Sequence, residues 1–320
     1  MKETGNMSLS PKTIRWLNVH CPEGLRGKTV LVTGANSGIG FKTAETAVYL
    51  GAKVILACRN TERAGAAKTA LLRDWPEASV DVRKLDLADL SSVEAFVETI
   101  RREAADIDVF VNNAGVFHQP GRKTADGFEL VLGTNYIGVY ALSERILPYL
   151  ASLPHEVFYI NTISLVHKTA GRIDYDDFWF EKHYRNISVY ARSKLCLAKY
   201  TYALAQRYRD TGVRVVMNHP GIAATPLGLN AYGFRDSGLI RFLSRFFNSP
   251  EKSSLSVAYI LSYSPEPGSI TGPARLFGGW GYPRQNRVLK KVKTGADELI
   301  RFTDGVIADH RIRHRRDPDC

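Results

Sequence analysis

The chain has no apolar run long enough to cross a bilayer. Its longest, such as TVLVTG and AKVILAC, are strand-sized and far below the ~20 residues a membrane-spanning helix needs. No transmembrane anchor is therefore expected. The first 25 residues also lack the continuous apolar stretch of a signal peptide, because acidic and basic residues interrupt them, so export is not expected. Cysteine is scarce and scattered: Cys21, Cys58, Cys196 and Cys320 share no CxxC spacing. That pattern suggests neither a zinc site nor a disulfide framework, and it fits a reducing cytoplasm. No Pro/Ser/Gly-rich linker, internal repeat or low-complexity tract divides the chain, which points to one domain with appended ends. The expected division is a polar arm over 1–27, a main domain over 28–280 and a basic extension over 281–320.

Acidic residues are outnumbered, leaving a formal net charge of +11. A dense share lies in one stretch that holds Arg284, Arg287, Lys290, Lys291 and Lys293. Most such runs are solvated faces, so no nucleic-acid partner is expected; peripheral contact with an anionic lipid surface is the alternative. The rest of the excess charge suits a polyanionic cofactor.

What the chain does have is alternation. Short β-branched runs at Thr29–Thr33, Lys53–Cys58, Val80–Leu85, Val109–Asn112, Val157–Asn161 and Val213–Met217 alternate with helix-length segments, and Arg275–Phe277 adds a last edge strand. The helical segments include Ile39–Leu50, Thr61–Arg73, Leu90–Ala104 and Val189–Tyr208. The order implies an α/β, doubly wound Rossmann fold: a mostly parallel seven-stranded sheet with helices on both faces and ligands beyond the carboxyl ends of the strands.

Every motif falls at such a strand end or on the helix that follows. In TGANSGIG the strand ends at Thr33, Gly34 permits the tight turn, Gly38 allows close backbone approach, and Gly40 lets the helix pack near the sheet. The amides around Asn36, Ser37 and Ile39 and the positive end of the helix would then face a pyrophosphate. The second strand ends in ACRN. A site selective for NAD would place a carboxylate here, whereas Cys58 occupies the position and Arg59 follows, with Arg63 one turn further on. A guanidinium fork suits a phosphate dianion, so the expected cofactor is NADP(H). Asp86 and Leu87 end the third strand, where the carboxylate could accept the adenine amino group or cap the next helix. In NNAG, Asn113, Ala114 and Gly115 would line the ribose region.

Tyr190 and Lys194 in YARSK stand one helical turn apart, which sets an ammonium beside a phenol on one helix face. A free phenol has a pKa of about 10, and drawing it toward ~7 takes about 4 kcal/mol. An ammonium at ~4 Å supplies roughly that at an effective dielectric of 20.

TGANSGIG, NNAG, the lone Asn135 in GTNYIG, Ser164, YARSK and HPG together resemble the short-chain dehydrogenase/reductase superfamily over roughly Leu25 to Phe277. IDYDDFWFEKHY and YARSKL resemble the branch that holds retinol dehydrogenases and protochlorophyllide reductases. The resemblance implies Tyr190 as general acid/base, Lys194 lowering its pKa and holding the nicotinamide ribose, Ser164 orienting the carbonyl, and Asn135 anchoring a water relay. It also gives Pro220 and Gly221 to the nicotinamide face and Thr225 to its carboxamide or phosphate. The helices holding Asn135 and Tyr190 are the family's usual dimer faces, which implies a homodimer or homotetramer. No metal is implied. His167 and His219 are read as packing or hydrogen-bonding residues, because the tyrosine already supplies the proton.

The stretch 222–250 is aromatic and glycine-rich. It reads as a lid over an apolar pocket, or else as an amphipathic helix at a dimer interface. Phe178, Trp179 and Phe180 add a second wall. The expected substrate is a lipophilic carbonyl or alcohol. Two alternatives stand beside that reading: a reductase of a conjugated C=C bond, and a non-catalytic NADP(H) sensor.

Overall fold

The computed structural model describes residues 9–117, 120–221, 248–275 and 278–316, with side chains described as far as His310. Eight strands form one sheet: β1 Thr29–Thr33, β2 Lys53–Cys58, β3 Val80–Lys84, β4 Val109–Asn112, β5 Val157–Thr162, β6 Val213–Asn218, β7 Ile270–Arg275 and β8 Trp280–Asn286. Their order is β3-β2-β1-β4-β5-β6-β7-β8. Strands β1 to β7 run parallel, and only β8 is antiparallel, against β7. The strand order reverses between β1 and β4, and the fold is the expected doubly wound α/β arrangement with one strand more than the seven read from the sequence.

Period-two alternation in the central strands sends two sets of side chains to opposite faces. Val30, Val32, Val54, Leu56, Val109, Val111, Ile160 and Val216 join one buried cluster. It meets α2 (Gly38–Tyr49), α3 (Thr61–Asp74) and α7 (Pro250–Tyr263). Leu31, Ile55, Phe110, Tyr159 and Val215 join the other. That one meets α4 (Leu90–Arg102), α5 (Gly138–Leu150) and α6 (Asn186–Arg207). A π-helical turn, Gly133–Ile137, leads into α5. Gly138 then packs so close to the Leu87 carbonyl that a Cβ there would overlap it.

The described parts of both terminal segments are folded onto this frame. Within 1–27, α1 (Pro11–His20) is capped by Ser10 and buries Trp16 and Leu17 against Leu50, Leu255 and Ala258. Within 281–320, β8 extends the sheet. Helix α8 (Ala296–Arg316) then packs on the central layer through buried Leu299 and Ile307 and through hydrogen bonds of Tyr136 Oη with Thr303 Oγ1 (2.7 Å) and of Tyr140 Oη to Asp304 Oδ1 (2.6 Å). The basic stretch between them is anchored too: Val292 is buried, and Lys291 Nζ donates to the carbonyls of Lys168 and Ala170. Among the described residues no helix is long and apolar enough to cross a membrane.

Candidate active site

The glycine turn is held by side chains that bond to the backbone around it. Thr33, the last residue of β1, accepts the amides of Asn113 and Ala114 on Oγ1 (3.0 Å each), while Asn113 Nδ2 donates to the Thr33 carbonyl (3.0 Å). These bonds lock the ends of β1 and β4 together. Gly34 has a φ of 65°, and a Cβ on it would lie 3.0 Å from Ala114 Cα. A Cβ on Gly40 would lie 2.5 Å from the Gly34 carbonyl oxygen. Side chains are thus excluded where the helix must press on the turn. Ser37 is the N-cap of α2, yet its side chain caps no amide, so the first turn of α2 still has donors for an anion.

At the end of β2, Cys58 is buried and its thiol faces the amides of Ala35 and Asn36. Burial, partly offset by those two bonds, raises its pKa. Asn60 caps α3, accepting the Arg63 amide at 2.8 Å. Arg59 Nε lies 4.0 Å from Asp86 Oδ2, and the Arg59 carbonyl accepts Lys84 Nζ at 2.6 Å. Asp86 does not cap the next helix: Asp89 does so, accepting the Ser91 and Ser92 amides, while Asp86 Oδ1 takes the Ala88 amide.

On α6, Tyr190 is buried with its ring edge-on to Phe117 at 4.9 Å. The Lys194 ammonium stands 5.9 Å from the Tyr190 ring centroid and donates to the Thr162 carbonyl at 2.9 Å. Burial alone pushes its pKa down to about 8. Asn135 is fully buried on the π-turn. Its carboxamide accepts the Val116 amide (2.7 Å) and donates to the Val116 carbonyl (2.9 Å) and to Ser193 Oγ (3.2 Å). Ser193 Oγ in turn donates to the Tyr190 carbonyl at 2.8 Å. Gly115 sits between these groups: a Cβ there would lie 3.1 Å from Asn135 Oδ1 and 3.5 Å from Lys194 Nζ.

These pieces enclose one cavity of about 470 Å³ at the carboxyl edge of the sheet. Gly34, Asn36, Ser37, Gly38, Ile39, Gly40, Arg59, Arg63, Asp86, Leu87, Asn113, Ala114, Gly115, Tyr190, Lys194 and Pro220 all line it. Ser164 and Asn135 do not line it. Ser164 begins the 3-10 turn Leu165–Lys168 and accepts the Val166 amide at 3.5 Å. Gly221, with a φ of 78°, packs instead against the Gly279 carbonyl and Asn248. Thr225 lies outside the described residues, as does most of the 222–250 stretch read as a lid.

Residues 28–172 match the family model of the short chain dehydrogenases. Human retinol dehydrogenase 14 is 38% identical over 273 residues, covering 80% of each chain. Human retinol dehydrogenase 13 is 37% identical over 260 residues, covering 79% of this chain and 77% of that one. The chain belongs to the short-chain dehydrogenase/reductase superfamily, in its retinol dehydrogenase-like branch. Among solved structures, a protein from Mycobacterium paratuberculosis aligns with a TM-score of 0.69 at 29% identity, covering 88% of this chain and 94% of that one. Levodione reductase aligns with a TM-score of 0.62 at 27% identity, over 77% and 95%.

This short-chain dehydrogenase is therefore an oxidoreductase that uses a nicotinamide cofactor. Sequence reasoning missed several residues on its cavity wall: Thr33, Ala57, Asn60, Leu85, Val116, Thr134, Thr162 and Ile163. Asn60 had a signal, since Asn ahead of an apolar-periodic segment is a cap. Thr162 had none, because its carbonyl rather than its side chain meets Lys194. His167 and His219 are buried, and burial pushes their pKa values down to about 4 and about 3. The His219 ring fills the space over Gly272 that a Cβ would need. Burial thus favours the neutral ring in both, and each is hydrogen-bonded as well as packed: His167 Nδ1 with the Ser164 carbonyl, and His219 Nδ1 from the Gly221 amide.

Proposed function

We propose that this enzyme transfers a hydride between NADP(H) and a lipophilic carbonyl or alcohol, with Tyr190 as general acid/base. The carrying observation is that Tyr190, Lys194 and the glycine turn open on one cavity. That cavity fits a dinucleotide. Gly34 and Gly40 clear room where any Cβ would intrude, the α2 amino end is uncapped by Ser37, and Arg59, just past β2, and Arg63, in the first turn of α3, line the wall. The turn amides would hold the pyrophosphate. Arg59, Asn60 and Arg63 would hold a ribose phosphate, and Asn113 to Gly115 with Lys194 the nicotinamide-side ribose. When bound, NADP(H) supplies the hydride to a carbonyl carbon or takes it from an alcohol.

The chain's own residues handle the proton. Tyr190 Oη gives it to the carbonyl oxygen, or takes it from the alcohol in reverse. With its Nζ 5.9 Å from the Tyr190 ring centroid, a charged Lys194 favours the phenolate over the neutral phenol. That charge is present below pH about 8 and fades above it, in line with the lowered pKa. The Thr162 carbonyl fixes the ammonium in place. Ser164 Oγ donates to the substrate oxygen. The Asn135 side chain is held by Val116 and Ser193, so it aligns the helix carrying Tyr190, and Asn135 would anchor the water relay. Lipophilic substrates are supported by the retinol dehydrogenases among the relatives and by the aromatic wall around Trp179.

The test is the ratio of kcat/KM for NADPH over NADH across a panel of ketones, aldehydes and enones. NADPH-linked turnover of apolar carbonyls is expected; a preference for NADH overturns the cofactor assignment, and turnover of enones alone overturns the substrate class.

A further inference from the structure

A second cavity of about 840 Å³, larger than the dinucleotide cavity, lies between segment 120–129, segment 177–184 and the end of α8. Its floor is aromatic. Phe128 and Trp179 stack at 5.3 Å with 16° between their planes, Phe180 and Tyr184 continue the wall, and Val306 closes it from α8. The acids within it are occupied: Glu129 accepts the Val131 and Leu132 amides and the Tyr184 hydroxyl, and Asp126 accepts the Leu90 amide and pairs with His310 at 3.4 Å. Beside these rings the lining also carries the ionisable side chains of Arg122, Lys123, Glu181 and Asp309, so the cavity pairs aromatic surface with charged groups.

Two features tie this cavity to Tyr190. Phe117, edge-on to the Tyr190 ring, is three residues before Pro120, which lines the cavity, so their Cα atoms are at most about 11 Å apart. Arg192, half a turn beyond Tyr190 on α6, donates to the Asp177 carbonyl (2.6 Å) and the Phe178 carbonyl (3.0 Å) and lies 3.8 Å over the Phe180 ring. Phe180 has a φ of 55°, a conformation that costs a side-chain-bearing residue roughly 1–2 kcal/mol. A wall held in a disfavoured shape by a residue on the Tyr190 helix is a wall with a geometric task.

We infer that this cavity holds the apolar body of the substrate, and that Arg192 is the positioning residue that keeps its wall in register with Tyr190. The inference rests on the proposed function for the identity of the ligand, but binding can be read without turnover. Titration calorimetry with 1-decanol, in the absence of any nucleotide, is expected to show binding to the wild type that weakens about tenfold or more in Val306→Trp, which fills the cavity from α8. The ratio of kcat/KM for decanal over butanal should fall by a similar factor in that variant. Arg192→Lys keeps the charge but not the fork, and it should lower the same ratio through KM rather than kcat. No decanol binding to the wild type, or a loss below about threefold in a Val306→Trp protein with a native melting curve, overturns the inference. Decanol binding that responds to Val306→Trp in a protein that turns over no aldehyde would uphold the site and remove the proposed reaction instead.

Discussion

The two ends of the active-site region are built from different materials. At the dinucleotide end each contact has the main chain on at least one side: Gly40 against the Gly34 carbonyl, Gly34 against Ala114, and the Thr33 hydroxyl bridging two amides. Around Tyr190 and the second cavity they are side chain on side chain: Phe117 on Tyr190, Phe128 on Trp179, Arg192 on Phe180. A backbone-built cradle has one shape and rejects added atoms. A wall of aromatic rings can be recut by exchanging residues of similar volume at a cost usually under about 1.5 kcal/mol. The cofactor half should therefore be brittle and the substrate half adjustable.

The largest effect should come from the one side chain that neither half can replace. Tyr190→Phe should lower kcat by about 10²–10⁴ while the NADPH dissociation constant, read by fluorescence titration, stays close to that of the wild type; appreciable residual turnover would falsify its role as the proton donor. Next, Gly40→Ala should cost about 1–3 kcal/mol of stability by overpacking and weaken NADPH binding as well, seen as a lower Tm and a raised Kd. If the dinucleotide end tolerates that methyl group, the contrast between the two ends fails. Arg59→Ala should reduce kcat/KM for NADPH by about tenfold, the equivalent of roughly 1.4 kcal/mol for a charged hydrogen bond, with little effect on NADH.

Lys194 gives a pH-dependent effect. Its folded-state pKa, about 8, lies below that of a free lysine, so the folded protein binds fewer protons than the unfolded chain between those values. This residue's contribution to stability should rise with pH above about 8 and level off near the free lysine pKa, and Lys194→Met should flatten that rise in melting curves taken across the window. The smallest change is a control for Gly40. A Cβ added to Gly65, also helical, would meet nothing within 4 Å, so Gly65→Ala should raise stability by about 0.5–1 kcal/mol.

Most of the cavity around the glycine turn was legible in the sequence, because each of its features is a local rule: glycine at a positive φ, a strand running into a helix, arginines following the second strand. Tyr190 and Lys194 were legible for the same reason, as one turn of one helix. What could not be read was anything that depends on distant segments meeting. The Lys194 partner is a carbonyl 32 residues away, invisible in residue type. Strand β8 contains Gly281, Pro283 and Arg284, residues that disfavour strands, and it forms only because β7 offers an open edge. Helix α8 read as part of a basic extension, because charged residues interrupt its apolar ones, yet Leu299 and Ile307 are buried against the central layer and Ile300 and Phe302 pack beside them. The second cavity joins three segments from different parts of the chain, and only the aromatic trio Phe178, Trp179 and Phe180 hinted at one wall.

The composition of the two outermost strands bears on how copies of this protein can meet. One margin of the sheet is β3, which carries Asp81, Arg83 and Lys84, and the other is β8, where Pro283 withholds an amide and Arg284 adds charge. Neither rim offers a clean ladder of donors and acceptors to a neighbouring chain, so ribbon-like growth from strand to strand is blocked on both sides. The margins of the sheet are thus shaped to keep copies of this enzyme apart.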